Sequence, residues 1–348
     1  MNKIRLASLF VVVPSLLFFV VPPCVNAEET PRSFSDVPPD HWAFGAVEYL
    51  KAQGIIQGYD DGTFKPDKGV NRAEAAKIIV APLVSDEELT LYTKSVFDDV
   101  AQGAWFLPYV EVGRQRMQII DGPPKKTAFY GEKPVLKIEF LKMLLLAHGA
   151  DPSGSYSEIR LPLSSDVTNP DEWYYPYMRY ALAASMVMIG QDGLFHPGKQ
   201  LTRGEVAVLT HRLIMYKEGR RTQALLSETE SEIVILLKLL GQDDVVQAEY
   251  ASARALLAAR GALTSKPDTS IVKAALKTAE GFRALVRGYR AGVEKRYQEV
   301  IDLSKEAWNL AAKAIEFDAG IQKIAVQMQE VASNMANEAR KFISTPSE

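Results

Sequence analysis

One pattern occurs three times between residues 34 and 205, and it restricts the folds open to this chain. Each copy opens on Asp-Val, carries a Trp six or seven residues later, and closes on a cation two residues before a Glu. The first copy has Asp36-Val37, Trp42, Gly58-Tyr59-Asp60-Asp61-Gly62-Thr63-Phe64 and Arg72-Ala73-Glu74. The second has Asp99-Val100, Trp105, Phe129 and Lys137-Ile138-Glu139. The third has Asp166-Val167, Trp173, Asp192-Gly193-Leu194-Phe195 and Arg203-Gly204-Glu205. A unit that recurs about every 65 residues is one supersecondary motif reused, with cores shared between neighbours.

Each copy reads as helix, loop, helix. Trp42, Ala46, Val47 and Leu50 fall on one face at helical spacing, and Gly54 ends that helix. Gly58 to Pro66 is turn chemistry, and Asn71 then caps a second helix with Ala75, Ile78 and Ile79 inward. In the third copy Trp173, Tyr177, Tyr180 and Ala181 form the first face, and Thr202-Arg203-Gly204-Glu205 is a capping box. Leu136 stands where the second copy needs a cap. The pattern predicts an all-α protein.

After Tyr216 the glycine and aromatic punctuation thins. Helices are expected over 220–240, 243–260 and 269–343, with breaks at Gly241-Gln242-Asp243 and Ser265-Lys266-Pro267-Asp268. The last stretch carries a seam at alternating steps of three and four, from Val300, Leu303, Ala307 and Leu310 through Ala314, Phe317, Ile321, Ile324, Met328, Val331 and Met335 to Glu338 and Phe342. A heptad seam of that length predicts a left-handed coiled coil. Its partner is either a second chain, giving a homo-oligomer through 300–342, or the preceding helices folded back.

The N-terminus sets the compartment. Lys3 and Arg5 precede an apolar stretch from Leu6 to Val21, and Val25-Asn26-Ala27 supplies small residues for cleavage. Residues 1–27 therefore read as a signal peptide of an exported protein, with an uncleaved anchor or a lipid-modified Cys24 as the alternatives. Cys24 is the one cysteine, so cleavage after Ala27 leaves none and excludes disulfides, thiolate metal sites and cysteine nucleophiles. No later stretch is long and apolar enough for a stable membrane span. Residues 28–215 carry 19 Lys/Arg against 25 Asp/Glu, and the whole chain is net −3, so no basic field for nucleic acid exists. His41, His148, His196 and His211 have no metal spacing, and no catalytic or cofactor motif stands out. The expectation is a non-enzyme with no cofactor and no metal.

Phe34-x-Asp36-Val37, His41-Trp42-Ala43, Gly54-Ile55-Ile56-x-Gly58-Tyr59-x-Asp61-Gly62-Thr63-Phe64-x-Pro66 and Asn71-Arg72-Ala73-Glu74 resemble the S-layer homology module. The third copy resembles it well. The second departs, with Asp121-Gly122-Pro123-Pro124-Lys125-Lys126 in place of the glycine-rich loop and Lys137 in place of arginine. The resemblance implies modules at 34–92, 93–155 (divergent) and 160–216, followed by a helical domain at 220–343. It also implies a pseudo-threefold prism whose inter-module grooves bind cell-wall polysaccharide, often carrying an acidic pyruvyl ketal.

The residues suit that chemistry. Trp42, Trp105 and Trp173 are platforms for the C–H face of a sugar, or else core. Arg72 and Arg203 suit bidentate contact with a carboxylate, or else pair with Glu74 and Glu205 or with a neighbouring module. Lys137 lacks the fork and should bind weakly or not at all. Each cation sits in a helix first turn, where free N–H groups favour an anion. Asp36, Asp99 and Asp166 accept from sugar hydroxyls or cap helices. Gly58, Asp61 and Gly62 shape a turn, and Glu74, Glu139 and Glu205 are structural partners. Two functions follow: a non-covalent wall anchor with a helical spacer, or a structural protein whose repeats are only a scaffold and whose C-terminal helices bind a protein partner.

Overall fold

A computed structural model of the chain describes residues 32–122 and 126–343. The expected signal peptide at 1–27 and Pro123-Pro124-Lys125 of the divergent loop lie outside them. The fold is all-α, with no strand among the described residues. The repeats contribute the helix pairs α1 (Phe44–Ala52) and α2 (Arg72–Val80), α4 (Leu107–Gln115) and α5 (Lys137–Ala147), and α6 (Tyr175–Ala183) and α7 (Arg203–Lys217). A single turn, α3 (Asp86–Leu89), separates the first pair from the second.

Three backbone hydrogen bonds close the repeats into a ring. Val70 N–H donates to Leu201 O at 2.9 Å, Leu201 N–H to Val135 O at 3.2 Å, and Val135 N–H to Val70 O at 2.9 Å. All three side chains are buried. The cycle defines a pseudo-threefold axis, because each repeat gives one bond and takes one.

The helix starts extend the cycle. Arg72 and Ala73 donate their N–H groups to Lys133 O and Gly131 O; Lys137 and Ile138 donate to Lys199 O and Pro197 O; Arg203 and Gly204 donate to Lys68 O and Pro66 O. The N–H groups of Glu74 and Glu205 go to the side chains of Asn71 and Thr202. The first three amides of α2 and α7 and the first two of α5 are therefore used by the adjoining repeat and by the caps. This corrects the expectation that they remain free for an anion. At Leu136, which has no side-chain acceptor, only the reverse half of the box survives, Leu136 N–H to Glu139 Oε2 at 3.1 Å.

The first helix of each repeat packs on the second helix of the repeat before it: α1 on α7, α4 on α2 and α6 on α5. Phe34, Val37, Val47, Leu50 and Phe64 make one small core with Ala207 of α7. A larger core begins at Val70 and runs through the other repeats into the C-terminal helices.

Those helices are α8 (Thr222–Gly241), α9 (Val245–Ser265), α10 (Ser270–Val293), α11 (Tyr297–Phe317) and α12 (Gln322–Ile343). Each packs on its sequence neighbour, and α9 also packs on α6. The close point is Gly261 of α9, where an added Cβ would collide with the backbone carbonyl of Ala183. Arg254 adds a buried ion pair with Glu232, with both nitrogen–oxygen distances 2.7 Å, and donates to Leu163 O of the third repeat at 2.8 Å.

The expected continuous helix over 269–343 is three helices. The first break places Lys295 in the left-handed region at φ 62°, with Arg296 N–H returning to Ala291 O at 2.8 Å. The second begins at Asp318, whose carboxylate accepts from Gly320 N–H at 2.9 Å. The heptad seam is consequently used inside the chain. Leu310 and Met328 close over Gly281 of α10, and Leu303 and Met335 close over Gly288, seven residues further on. Gly at both positions lets the larger side chains of α11 and α12 sit against the α10 backbone. The seam thus packs on α10 within the chain, the folded-back arrangement that its spacing allows. Phe317, a seam position, is 41% exposed beside the second break.

Candidate functional site

The motif residues converge at the three junctions between repeats. A Phe in each loop organises the junction. Asp36 accepts from Phe64 N–H at 2.8 Å and Lys65 N–H at 2.7 Å; Asp99 accepts from Phe129 N–H at 2.7 Å and Tyr130 N–H at 2.6 Å. Asp166 accepts from Phe195 N–H at 3.1 Å and His196 N–H at 2.7 Å. The residue after each Phe is left-handed, with φ of 56° at Lys65, 58° at Tyr130 and 52° at His196. Non-glycine residues there are strained, and the carboxylate forks hold them in place. Burial would raise the Asp166 carboxyl, but the Ser164 hydroxyl and the Phe195 and His196 amides outweigh it and hold it below the usual range. The three aspartates are clamps on loops about 30 residues away, not helix caps.

The cation of each repeat reaches the Phe carbonyl of its neighbour. Arg203 Nε donates to Phe64 O at 2.8 Å, Arg72 Nε to Phe129 O at 3.0 Å, and Lys137 Nζ to Phe195 O at 2.5 Å. Beyond this shared bond they differ. Arg203 also donates to Gln57 O at 3.0 Å, and its guanidinium carbon stands 5.0 Å from the Tyr59 ring centre and 4.6 Å from that of Phe64. Arg72 lies over Phe129 and pairs with Glu139 of the next repeat at 2.9 Å. Lys137 is lowered from the usual lysine range by burial and by Lys199, against the opposing pull of Glu205 and acidic neighbours. Neither arginine pairs with the glutamate two residues on. Glu74 and Glu205 instead hold the cap amides and take Lys68 at 3.0 Å and Lys199 at 2.5 Å.

The tryptophans are not core. Trp42, Trp105 and Trp173 are 57%, 51% and 56% exposed. Trp42 lies against Gly204, where an added Cβ would come within 2.9 Å of two indole carbons. That contact puts Trp42 beside the start of α7, one residue from Arg203. Lys77 Nζ is 5.8 Å from the Trp105 ring centre, and Trp173 meets Tyr174 edge-on.

The glycine-rich turn of the first repeat is built as its residues demand. Gly62 is left-handed at φ 78°, and a Cβ on Gly58 would run into the Phe34 ring. Asp61 accepts from the Thr63 hydroxyl and amide and pairs with Lys65, which pushes its carboxyl down to about 2, the Thr63 hydroxyl being the largest cause. The turn presents Tyr59, whose ring is 4.1 Å from Lys65 Nζ and whose hydroxyl is 3.1 Å from Lys68 Nζ. Tyr59, Lys68 and Gly204 belong to this junction although the repeat pattern did not mark them as contact residues. The signal was present in the Gly58-Tyr59 pair and in the glycine that replaces alanine after Arg203.

Among the described residues no group of three or more His, Cys, Asp or Glu is arranged to hold a metal, and no helix is long and apolar enough to cross a membrane.

Comparison with known proteins matches the S-layer homology domain at residues 33–76 and 165–207, the first and third repeats. S-layer protein EA1 of Bacillus anthracis is 28% identical over 178 residues, 51% of this chain and 19% of that protein. S-layer protein sap of the same organism is 38% identical over 95 residues, 26% of this chain and 10% of its own. Outer membrane protein SlpA of Thermus thermophilus is 51% identical over 55 residues, 16% of this chain and 6% of its own. The chain therefore spans about a fifth or less of the length of these relatives.

Proposed function

We propose that this chain anchors itself non-covalently to cell-wall polysaccharide at the junctions between its repeats, the middle repeat being a divergent S-layer homology module. It acts as an exported, non-enzymatic protein of the cell envelope. The observation that carries the reading is the Trp42–Gly204–Arg203 arrangement, an exposed indole face one residue from a guanidinium whose hydrogen bonds, among the described residues, go to the carbonyls of Phe64 and Gln57. An indole face suits the C–H side of a sugar ring, and a guanidinium suits a carboxylate such as a pyruvyl ketal. The matches to the S-layer homology domain and to S-layer proteins support cell-wall anchoring in general.

The aspartates enter as loop clamps and so contribute indirectly, by holding the Phe carbonyls where the cations find them. Junctions that hold other sugars of the same polymer add avidity to the one that holds its acidic substituent. The helical half acts as a spacer held against the third repeat by Gly261 and Arg254, so whatever it presents is fixed relative to the junctions.

The test is the triple variant W42A/W105A/W173A of the full mature chain. These side chains are half exposed, so thermal unfolding should stay close to wild type while pelleting with wall sacculi is lost. Undiminished pelleting would remove the aromatic platforms from the account.

A further inference from the structure

The three junctions share one plan but differ in what their glutamates do. Glu74 and Glu205 each pair with a lysine six residues earlier in the same repeat, Lys68 and Lys199. The equivalent lysine of the middle repeat, Lys133, turns instead onto the Tyr130 ring, 3.9 Å from its centre. Glu139 keeps one oxygen on Leu136 N–H and gives the other to Arg72 of the repeat before it.

We propose that Glu139 is a specificity-determining residue. It occupies Arg72 as an internal carboxylate and leaves the Arg203–Trp42 junction as the principal receiver of an acidic sugar substituent. The inference rests on the wall-binding reading above.

The Arg72–Glu139 pair is partly buried, with side chains 17% and 30% exposed, so an incoming carboxylate must displace a partner already desolvated. It would also face the negative charge of Glu139 once displaced. At the Arg203 junction neither obstacle exists. Arg203 makes its side-chain hydrogen bonds to the carbonyls of Gln57 and Phe64, and the neighbouring Glu74 is matched by Lys68. The ligand there meets a fork without an internal anion, an indole at Trp42 and a phenol ring at Tyr59. Lys137 offers its junction only a point charge, already directed at Phe195 O.

The experiment titrates the full mature chain with a short wall-polymer oligosaccharide bearing a pyruvyl ketal, and with the same oligosaccharide after ketal removal. Wild type should show one site that requires the ketal. Arg203→Lys should weaken it by about tenfold or more, since the fork is lost. Lys137 already makes the corresponding carbonyl bond, so lysine is compatible with the fold there. Glu139→Gln keeps an amide oxygen for Leu136 N–H and frees Arg72. It should raise the stoichiometry from one site to two, and the double variant E139Q/R72K should lose the added site. Thermal unfolding of each variant verifies that it is folded. Unchanged stoichiometry in folded E139Q, or full affinity in folded R203K, overturns the role of Glu139 while leaving wall binding intact. A wild-type chain that ignores the ketal overturns the acidic-glycan reading and the inference with it.

Discussion

Arg203 donates its Nε–H to the carbonyl oxygen of Phe64 at 2.8 Å, tying the third repeat to the first across 139 residues of chain. The bond recurs at Arg72–Phe129 and Lys137–Phe195, so one cation per repeat locks the ring. Arg203→Ala should therefore destabilise the repeats by about 1.5–3 kcal/mol, the range for a hydrogen bond to a charged group. Arg203→Lys should cost far less, because lysine serves at position 137. Denaturant unfolding of the two variants checks this, and equal losses would show that the carbonyl bond is not what the cation contributes.

The aspartate clamps predict acid sensitivity. Asp166 is held below its ordinary range, so its native form binds fewer protons than its unfolded form. Its contribution is present above the unfolded value of about 3.9 and is lost as pH falls through the lower folded value. Melting temperature should drop below about pH 4. Asp166→Asn faces two backbone N–H groups with one acceptor oxygen and one amide donor. It should cost about 1–3 kcal/mol at neutral pH and flatten the acid limb of the profile. An acid limb identical in wild type and variant would contradict the clamp.

Local chemistry made the helix starts legible. Asn71, Thr202 and the glutamates three residues on form the boxes that their spacing implies, and Leu136 lacks the forward bond as its side chain requires. The roles of Asp36 and Arg72 were hidden because their partners lie about 30 and 57 residues away, where no short-range periodicity reaches. Trp42 reads equally as core or surface in the sequence, and only the closeness of Gly204 decides its place. The breaks between α10, α11 and α12 are hidden in the sequence for a related reason. The heptad seam continues in phase across Asp318 because α11 and α12 both pack on α10, so its periodicity carries no mark of the turn between them. Lys295 at φ 62° ends α10 with a residue that gives no glycine signal.

Gly261→Ala tests the junction between the repeats and the helical half. The added methyl would meet backbone atoms of Ala183, which cannot swing aside as a side chain could. Overpacking of this kind costs typically about 1–3 kcal/mol and occasionally more. Limited proteolysis should then cut between residues 217 and 222, a segment that should stay intact in wild type. Unchanged proteolysis and unfolding would mean that α9 and α6 have slack at this point.

Met335→Ala separates an internal seam from an oligomeric one. Met335 is buried against Gly288, so truncation should destabilise the helical half by about 2–5 kcal/mol. Sedimentation velocity should give the same mass for wild type and variant. A change of oligomeric state at concentrations where both are folded would return the seam to an intermolecular role.

The most direct test of wall anchoring is co-sedimentation of the mature wild-type chain with purified wall sacculi, before and after their attached acidic polymer has been removed. The account predicts pelleting with intact sacculi and loss of pelleting once the polymer is gone. Folded protein that stays in the supernatant with intact sacculi, or that pellets equally with stripped ones, would contradict it.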